Sequence, residues 1–238
     1  MQIRLHQGST RYSTRSASQV AHHSFSFGDH YDPENLAFGP MRAHNEHRLS
    51  WGAGFPEHRH SDVELVTWVM HGQVVHTDSL GNRSLLPAGT VQVQSAGSGI
   101  SHSEFADTSA APTRFVQTWL VPDELGGPPA RFLASGMQSE RMIPVAGDGA
   151  QVPVGCSGAT LFVGSLASGT VHDLPVCSSH HLFVASGEVV WSSPGHDDLT
   201  LTEGDALRIT AADDAEMQLR VVAAAEVMQW VFRTPTPG

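Results

Sequence analysis

Two pairs of glycines share one spacing: Gly72 to Gly89 and Gly187 to Gly204 are each 17 positions apart. Their surroundings match as well. His71-Gly72-Gln73-Val74-Val75-His76 has a counterpart in Ser186-Gly187-Glu188-Val189-Val190-Trp191, and Pro87-Ala88-Gly89-Thr90-Val91 has one in Thr202-Glu203-Gly204-Asp205-Ala206. Both matches imply an offset of 115 residues. A glycine at a turn between strands is a backbone requirement, because positive φ costs least there. Matching turns at equal spacing therefore predict two copies of one β-fold.

The stretches between these turns read as strands. Glu64-Leu65-Val66-Thr67-Trp68-Val69-Met70 is rich in β-branched and aromatic residues, and Thr90-Val91-Gln92-Val93-Gln94 alternates with period two. No convincing amphipathic helix precedes residue 122, so the expected class is all-β. Pro122-Asp123-Glu124-Leu125-Gly126-Gly127-Pro128-Pro129 and Ala146-Gly147-Asp148-Gly149-Ala150 read as linkers. A boundary near residue 135 then separates an N-terminal domain, 1–135, from a C-terminal domain, 136–238.

Charge narrows the partners. A formal net charge of −11 with no basic run argues against direct nucleic-acid binding. No apolar run approaches a membrane span, and the N-terminus lacks a secretory h-region, so the expected location is cytoplasmic. Cys156 and Cys177 lack metal-motif spacing and are expected as buried free thiols.

Chemistry concentrates between Gly52 and Glu104. Gly52-Ala53-Gly54-Phe55-Pro56-Glu57-His58-Arg59-His60 opens this stretch and Gly99-Ile100-Ser101-His102-Ser103-Glu104 closes it. In a strand, residues i and i+2 point to one face, so His58 and His60 share a face, as do His102 and Glu104. If the two strands pair or face each other, three imidazoles and one carboxylate converge into a divalent-metal site with positions left for water or substrate. Applied without gaps, the 115-residue offset places Asp173, Pro175, Met217 and Leu219 at these four positions. The second copy has lost the ligand set, and only the first domain is expected to hold metal. Glu57, Asp62 and Glu64 read as solvated turn or strand acids. His44, His47, His71 and His76 are candidates for orienting the ligands, although surface or satisfied core roles are the expectation for most. His22, His23, His180, His181 and His196 read as structural. The Trp and Phe residues read as core, with Phe55 placed where a cavity wall would be.

The residues now match a known pattern. Gly52-x5-His58-x-His60-x3-Glu64 resembles the first half of a cupin motif, and Gly81-x5-Pro87-x-Gly89 begins the second. The cupin pattern usually has a histidine where this chain has Gln92. The run Ser95-Ala96-Gly97-Ser98-Gly99-Ile100-Ser101-His102-Ser103-Glu104 instead resembles the pirin family, as do His76-Thr77-Asp78-Ser79-Leu80-Gly81-Asn82 and Phe38-Gly39-Pro40-Met41-Arg42. The resemblance spans roughly residues 20–122. It implies two tandem cupin (jelly-roll-like) β-barrels, a bicupin, with one metal in the first, held by His58, His60, His102 and Glu104. Glu64, a ligand in many other cupins, would not be one. Arg59 stands where pirins often have proline and places a cation beside or behind the metal mouth.

The resemblance also implies a function. Several pirins oxidise flavonols such as quercetin with O2; others are metal- and redox-responsive regulators that bind protein partners. The expectation is a metal-dependent dioxygenase acting on a small aromatic or enolic substrate, with Glu104 as both ligand and general base. Fe(II) is the expected ion, and Zn, Mn, Co or Ni suit the same donors. The alternative is a non-catalytic metal or redox sensor that docks a protein.

Overall fold

The computed structural model describes residues 1–109 and 111–233. Nineteen strands and one 3₁₀ turn, Gly8–Thr10, make up its regular structure, so the all-β expectation holds. Contacts divide the chain into two compact units. The first holds residues 12–137 and 152–156, and the second holds residues 1–11, 138–151 and 157 onwards. The division is not a single cut in the sequence. Residues 1–11 and residues 152–156 each belong to a different unit from their chain neighbours.

In chain order the strands are β1 (Gln2–His6), β2 (Tyr12–Arg15), β3 (Gln19–His23), β4 (Met41–Leu49), β5 (Gly54–His60), β6 (Glu64–His71), β7 (Gln73–Asp78), β8 (Arg83–Pro87), β9 (Thr90–Ser95) and β10 (Ile100–Ala106). They continue as β11 (Thr113–Leu120), β12 (Ala130–Ala134), β13 (Ile143–Gly147), β14 (Ala159–Leu166), β15 (Val171–Asp173), β16 (Ser179–Ser192), β17 (Leu199–Thr202), β18 (Ala206–Thr210) and β19 (Gln218–Phe232).

The unit containing residues 12–137 is built from a seven-stranded sheet, β12-β9-β6-β11-β4-β3-β2, and a four-stranded sheet, β5-β10-β7-β8. All pairings are antiparallel. Their inner faces meet around Leu49, Val69 and Phe115 from the large sheet and Val74, Leu86 and Ala106 from the small one. Directly opposed residues share a face, so the pairs Val69↔Thr90, Thr67↔Gln92 and Leu65↔Gln94 carry that inner surface from the apolar floor into a polar middle.

The other unit repeats this plan in an eight-stranded sheet. Register reproduces the 115-residue offset. Thr67↔Gln92 corresponds to Leu182↔Leu207, and Val74↔Leu86 corresponds to Val189↔Leu201. The corner between β6 and β7 is Gly72 at φ +70°, and within β16 it is Gly187 at φ +82°. A Cβ at Gly187 would strike the backbone oxygen of Ala224, so the corner excludes a side chain as well as favouring positive φ. Its hydrophobic core includes Leu182, Val189, Trp191, Leu201, Leu207 and Leu219, all fully buried.

β1 forms the edge of this second sheet, pairing Gln2↔Thr210 through His6↔Ala206 on β18. His6 Nε2 is buried there without a hydrogen-bond partner among the described residues. Burial, reinforced by Arg208 and Arg4, pushes its imidazole down from 6.5 to about 4. The folded state thus resists a proton that the unfolded chain accepts. Stability is unaffected above the unfolded value, falls as pH drops from 6.5 towards 4, and levels off below. His6→Gln, which cannot titrate, should flatten this part of the acid response. Thermal unfolding of both proteins at neutral pH and near about pH 5 checks it; an unchanged difference between the two pH values would assign the acid sensitivity elsewhere.

Cys156 and Cys177 are both buried thiols. No helix among the described residues is long and apolar enough to cross a membrane.

Candidate metal centre

Antiparallel pairing of β5 with β10 brings the two sequence pairs together. His102 lies directly opposite His58, and Ile100 lies opposite His60. A register shift between His102 and Glu104 then sets Glu104 opposite Phe55. Space at this shift depends on Gly54. A Cβ there would strike Glu104 O and come within 2.6 Å of Phe105 Cα. Gly54→Ala should push β5 off β10, costing about 1–3 kcal/mol by overpacking and separating His58 from His102. Thermal unfolding and bound-metal content measure the two effects; wild-type values for both would mean that the strands tolerate the methyl group.

Nitrogens of His58, His60 and His102 lie within 4.8 Å of one another, as do donor atoms of His76, His102 and Glu104. His102 belongs to both groups and joins them. His58 Nε2 and His102 Nε2 are 3.1 Å apart. His60 Nε2 and Glu104 Oε1 are buried with no hydrogen-bond partner among the described residues. Orphaned buried polar atoms are costly, and a divalent cation would satisfy both. Three imidazoles and a carboxylate suit a first-row transition ion.

Electrostatics prepare the imidazoles for this role. Burial, then His102 and His58, pushes His60 down to about 4, and burial, then His58 and His76, pushes His102 down to about 3. Both are therefore neutral near pH 7, the form that ligates. Burial pushes the Glu104 carboxyl above its ordinary value, against the opposing pull of His76, Gln117 and His58. A neighbouring cation would favour its charged form.

The surrounding residues hold the donors in place. Pro56 O accepts a hydrogen bond from His58 Nδ1 at 2.8 Å. Gln117 donates from Nε2 to Glu104 Oε2 at 2.9 Å, while its Oε1 accepts from Trp119 Nε1 at 2.9 Å. Glu104 Oε1 is thereby left bare on the other side of the carboxylate. The Trp119 ring also meets the edge of His60, at 5.0 Å between centroids, and the edge of Phe27, at 5.2 Å. An aromatic ring thus adjoins His60, with Phe27 edge-on to that ring.

Other candidates fall outside the centre. Glu64 Oε2 accepts from Ser95 Oγ at 2.8 Å and from the Gly155 amide at 3.0 Å, which engages it away from the donors. Arg59 is exposed and donates to Ser98 O at 2.7 Å, on the face opposite His58 and His60. Asp62 accepts from the Gly126 amide at the surface. His44 bonds Thr118 Oγ1 and His71 bonds Pro112 O. His47 packs its ring on Phe55 and Phe115 in the floor. His23 stacks on Phe27 and bonds Asn45 and Thr14, a satisfied core histidine.

His76 is the exception among the orienting candidates. It is fully buried beside His102 and Glu104, with Nε2 3.1 Å from Asp78 Oδ2. The period-two pair His76-x-Asp78 carried this signal in the same form as His102-x-Glu104.

In the second unit, Leu219 lies opposite Trp191 as Glu104 lies opposite His76. On the neighbouring strand the gap-free alignment is off by one. Asp173 pairs with Gln218, and the Leu174 amide bonds Met217 O, so Leu174, not Asp173, faces the position of His102. Apolar Leu174, Met217 and Leu219 therefore stand where His58, His102 and Glu104 stand in the first unit.

A family model described as Pirin matches residues 6–120. A protein of Mycobacterium tuberculosis provisionally named quercetin 2,3-dioxygenase is 35% identical over 240 residues, covering 96% of this chain and 94% of that one. The chain belongs to the pirin family. An Escherichia coli protein named quercetin 2,3-dioxygenase is 42% identical over 104 residues, covering 44% of this chain and 45% of that protein. The solved structure of the Escherichia coli bacterial pirin YhhW in complex with nickel(II) matches with a TM-score of 0.86 at 26% identity, over 98% of this chain and 99% of that one. The pirin fold accounts for both units, each the cupin-type β-structure expected from the sequence.

Proposed function

We propose that His58, His60, His102 and Glu104 hold one divalent transition metal, and that the loaded protein is a dioxygenase opening flavonol-type substrates such as quercetin with O2. The observation that carries this reading is the convergence of unsatisfied donors: His60 Nε2 and Glu104 Oε1 are buried without hydrogen-bond partners among the described residues, beside the facing nitrogens of His58 and His102. A nickel(II) complex of a related pirin supports the metal, and the names of the Mycobacterium tuberculosis and Escherichia coli relatives support the reaction. Fe(II) is the ion we assign, since O2 chemistry calls for a redox-capable centre and this donor set suits iron. When bound, it supplies a Lewis acid that acidifies a substrate hydroxyl and a redox partner for O2.

The chain's own residues do the rest. Glu104 is the base for the enolic proton, and Gln117, donating to Oε2, holds its carboxylate in place. Trp119, beside His60 and with Phe27 set edge-on to it, offers an aromatic surface against which an aryl ring can pack. The test is to load the protein anaerobically with Fe(II), add quercetin and air, and follow loss of flavonol absorbance beside a His58→Ala/His60→Ala variant. Metal-dependent loss that vanishes in the variant is the expected result. Stoichiometric metal without flavonol loss would reject this substrate class and turn attention to the metal- or redox-sensing alternative.

A further inference from the structure

Three buried glutamines each turn an amide towards one group of the centre, and they differ in what holds the far side of the amide. Gln92 Nε2 lies 3.3 Å from His76 Nδ1, and its Oε1 accepts from Arg131 Nε at 2.7 Å. Gln117 is pinned in the same way, between Glu104 and the Trp119 N–H. Neither amide can turn over without aiming an NH2 at another donor. Gln94 Nε2 lies 3.3 Å from His102 Nδ1, but its Oε1 is buried with no partner among the described residues. Of the three, only Gln94 has a far side that is not fixed.

The protons around Gln94 can be placed from the heavy atoms. Pro56 O can only accept, so His58 Nδ1 carries a hydrogen, and Nε2 of the neutral ring is bare. His102 Nε2, 3.1 Å from that bare nitrogen, must then donate to it. This leaves His102 Nδ1 bare, and the Gln94 NH2 supplies the matching donor. Without a cation, the chain runs one way, from Gln94 to His102 to His58 to Pro56.

A cation reverses the middle of this chain. Ligation through His102 Nε2 needs that nitrogen bare, so the ring hydrogen must sit on Nδ1, where it would meet the Gln94 NH2. Turning the amide over replaces that donor with Oε1, the atom that lacks a partner. Oε1 would then do for His102 what Pro56 O does for His58. We propose that Gln94 is a positioning residue with two settings, donor to His102 in the metal-free protein and acceptor in the loaded one. Its unpinned amide thus links the tautomer of His102 to metal loading. This inference rests on the reading of His102 as a ligand.

The test uses the full chain, isotope-labelled and stripped of metal, with diamagnetic Zn(II) as the probe. Long-range nitrogen–proton NMR reads imidazole tautomers directly. The His102 hydrogen should move from Nε2 to Nδ1 on loading, and the Gln94 side-chain amide signals should shift while those of Gln92 hold. In chelator competition, Gln94→Leu, which cannot accept, should lose about 10- to 100-fold in Zn(II) affinity, the range seen when an outer partner of a ligand is removed. Gln94→Glu, a fixed acceptor, should retain at least wild-type affinity. Should Gln94→Leu fail to fold, the wild-type spectra and Gln94→Glu decide the matter by themselves. A loaded protein with Gln94 unmoved, or Gln94→Glu binding as weakly as Gln94→Leu, would overturn the inference and leave the ligand assignment standing. Wild-type protein that takes up no Zn(II) would overturn both.

Discussion

Glutamine in place of Glu104 should weaken metal binding by more than about 100-fold, beyond the loss expected from an outer partner, while the metal-free protein stays at least as stable as wild type. The two effects have opposite signs for one reason. Glu104 is 2% exposed, and burial makes its charged form expensive when no cation is present. An amide of the same shape removes that cost. It can also accept from Gln117 through its own Oε1, preserving the bond that fixes the side chain. The amide nitrogen would then occupy the place of the bare carboxylate oxygen, presenting a donor where a ligand is needed. Metal content after loading and thermal unfolding of the stripped protein measure the two halves separately. Flavonol turnover should fall with the metal. A Glu104→Gln protein that retained stoichiometric metal would remove Glu104 from the ligand set, and one that unfolded without metal would assign it a structural role instead.

The candidate donors stand out in the sequence because a strand has a side-chain period of two, and His58-x-His60 and His102-x-Glu104 state that period directly. Their meeting follows from one antiparallel pairing, His58↔His102. What the sequence hides is anything set by the alignment of one strand against another. The register shift after His102 and the single-residue displacement that brings Leu174 to the place of His58 leave no mark in composition or spacing. His76-x-Asp78 had the right form, but in a chain with 15 histidines it did not stand out. Gln92, Gln94 and Gln117 have no motif at all. Gln92 and Gln94 depend on Arg131 of the paired strand and on His102 of the other sheet, and Gln117 on an amide orientation set between Glu104 and Trp119 of its own strand. The same limit applies at the ends of the chain. Nothing local in Gln2–His6 announces a strand whose partner is Ala206–Thr210.

Phe115→Ala is expected to destabilise the unit that carries the centre by about 3–5 kcal/mol, the usual range for truncating a buried phenylalanine. Phe115 is fully buried, and the cluster around it draws on both sheets, Leu49 and Val69 on one side and Val74, Leu86 and Ala106 on the other. Its ring also tilts against His47 at 4.9 Å. Removing the ring leaves a void between two sheets whose strands are already in register, so little collapse is open to them. The effect should reach the centre, because Phe115 and Gln117 lie on one face of β11 and Gln117 holds Glu104. Metal offers a way to separate the two consequences. An ion that binds only the folded state at about 100 times its Kd returns about 2.7 kcal/mol. Urea unfolding of Phe115→Ala should therefore show a large loss in the stripped protein and a partial recovery with saturating Zn(II). A loss below about 1 kcal/mol would mean that the floor is not packed as tightly as its burial implies. A full loss with no recovery would mean that the void has dismantled the donor set along with the core.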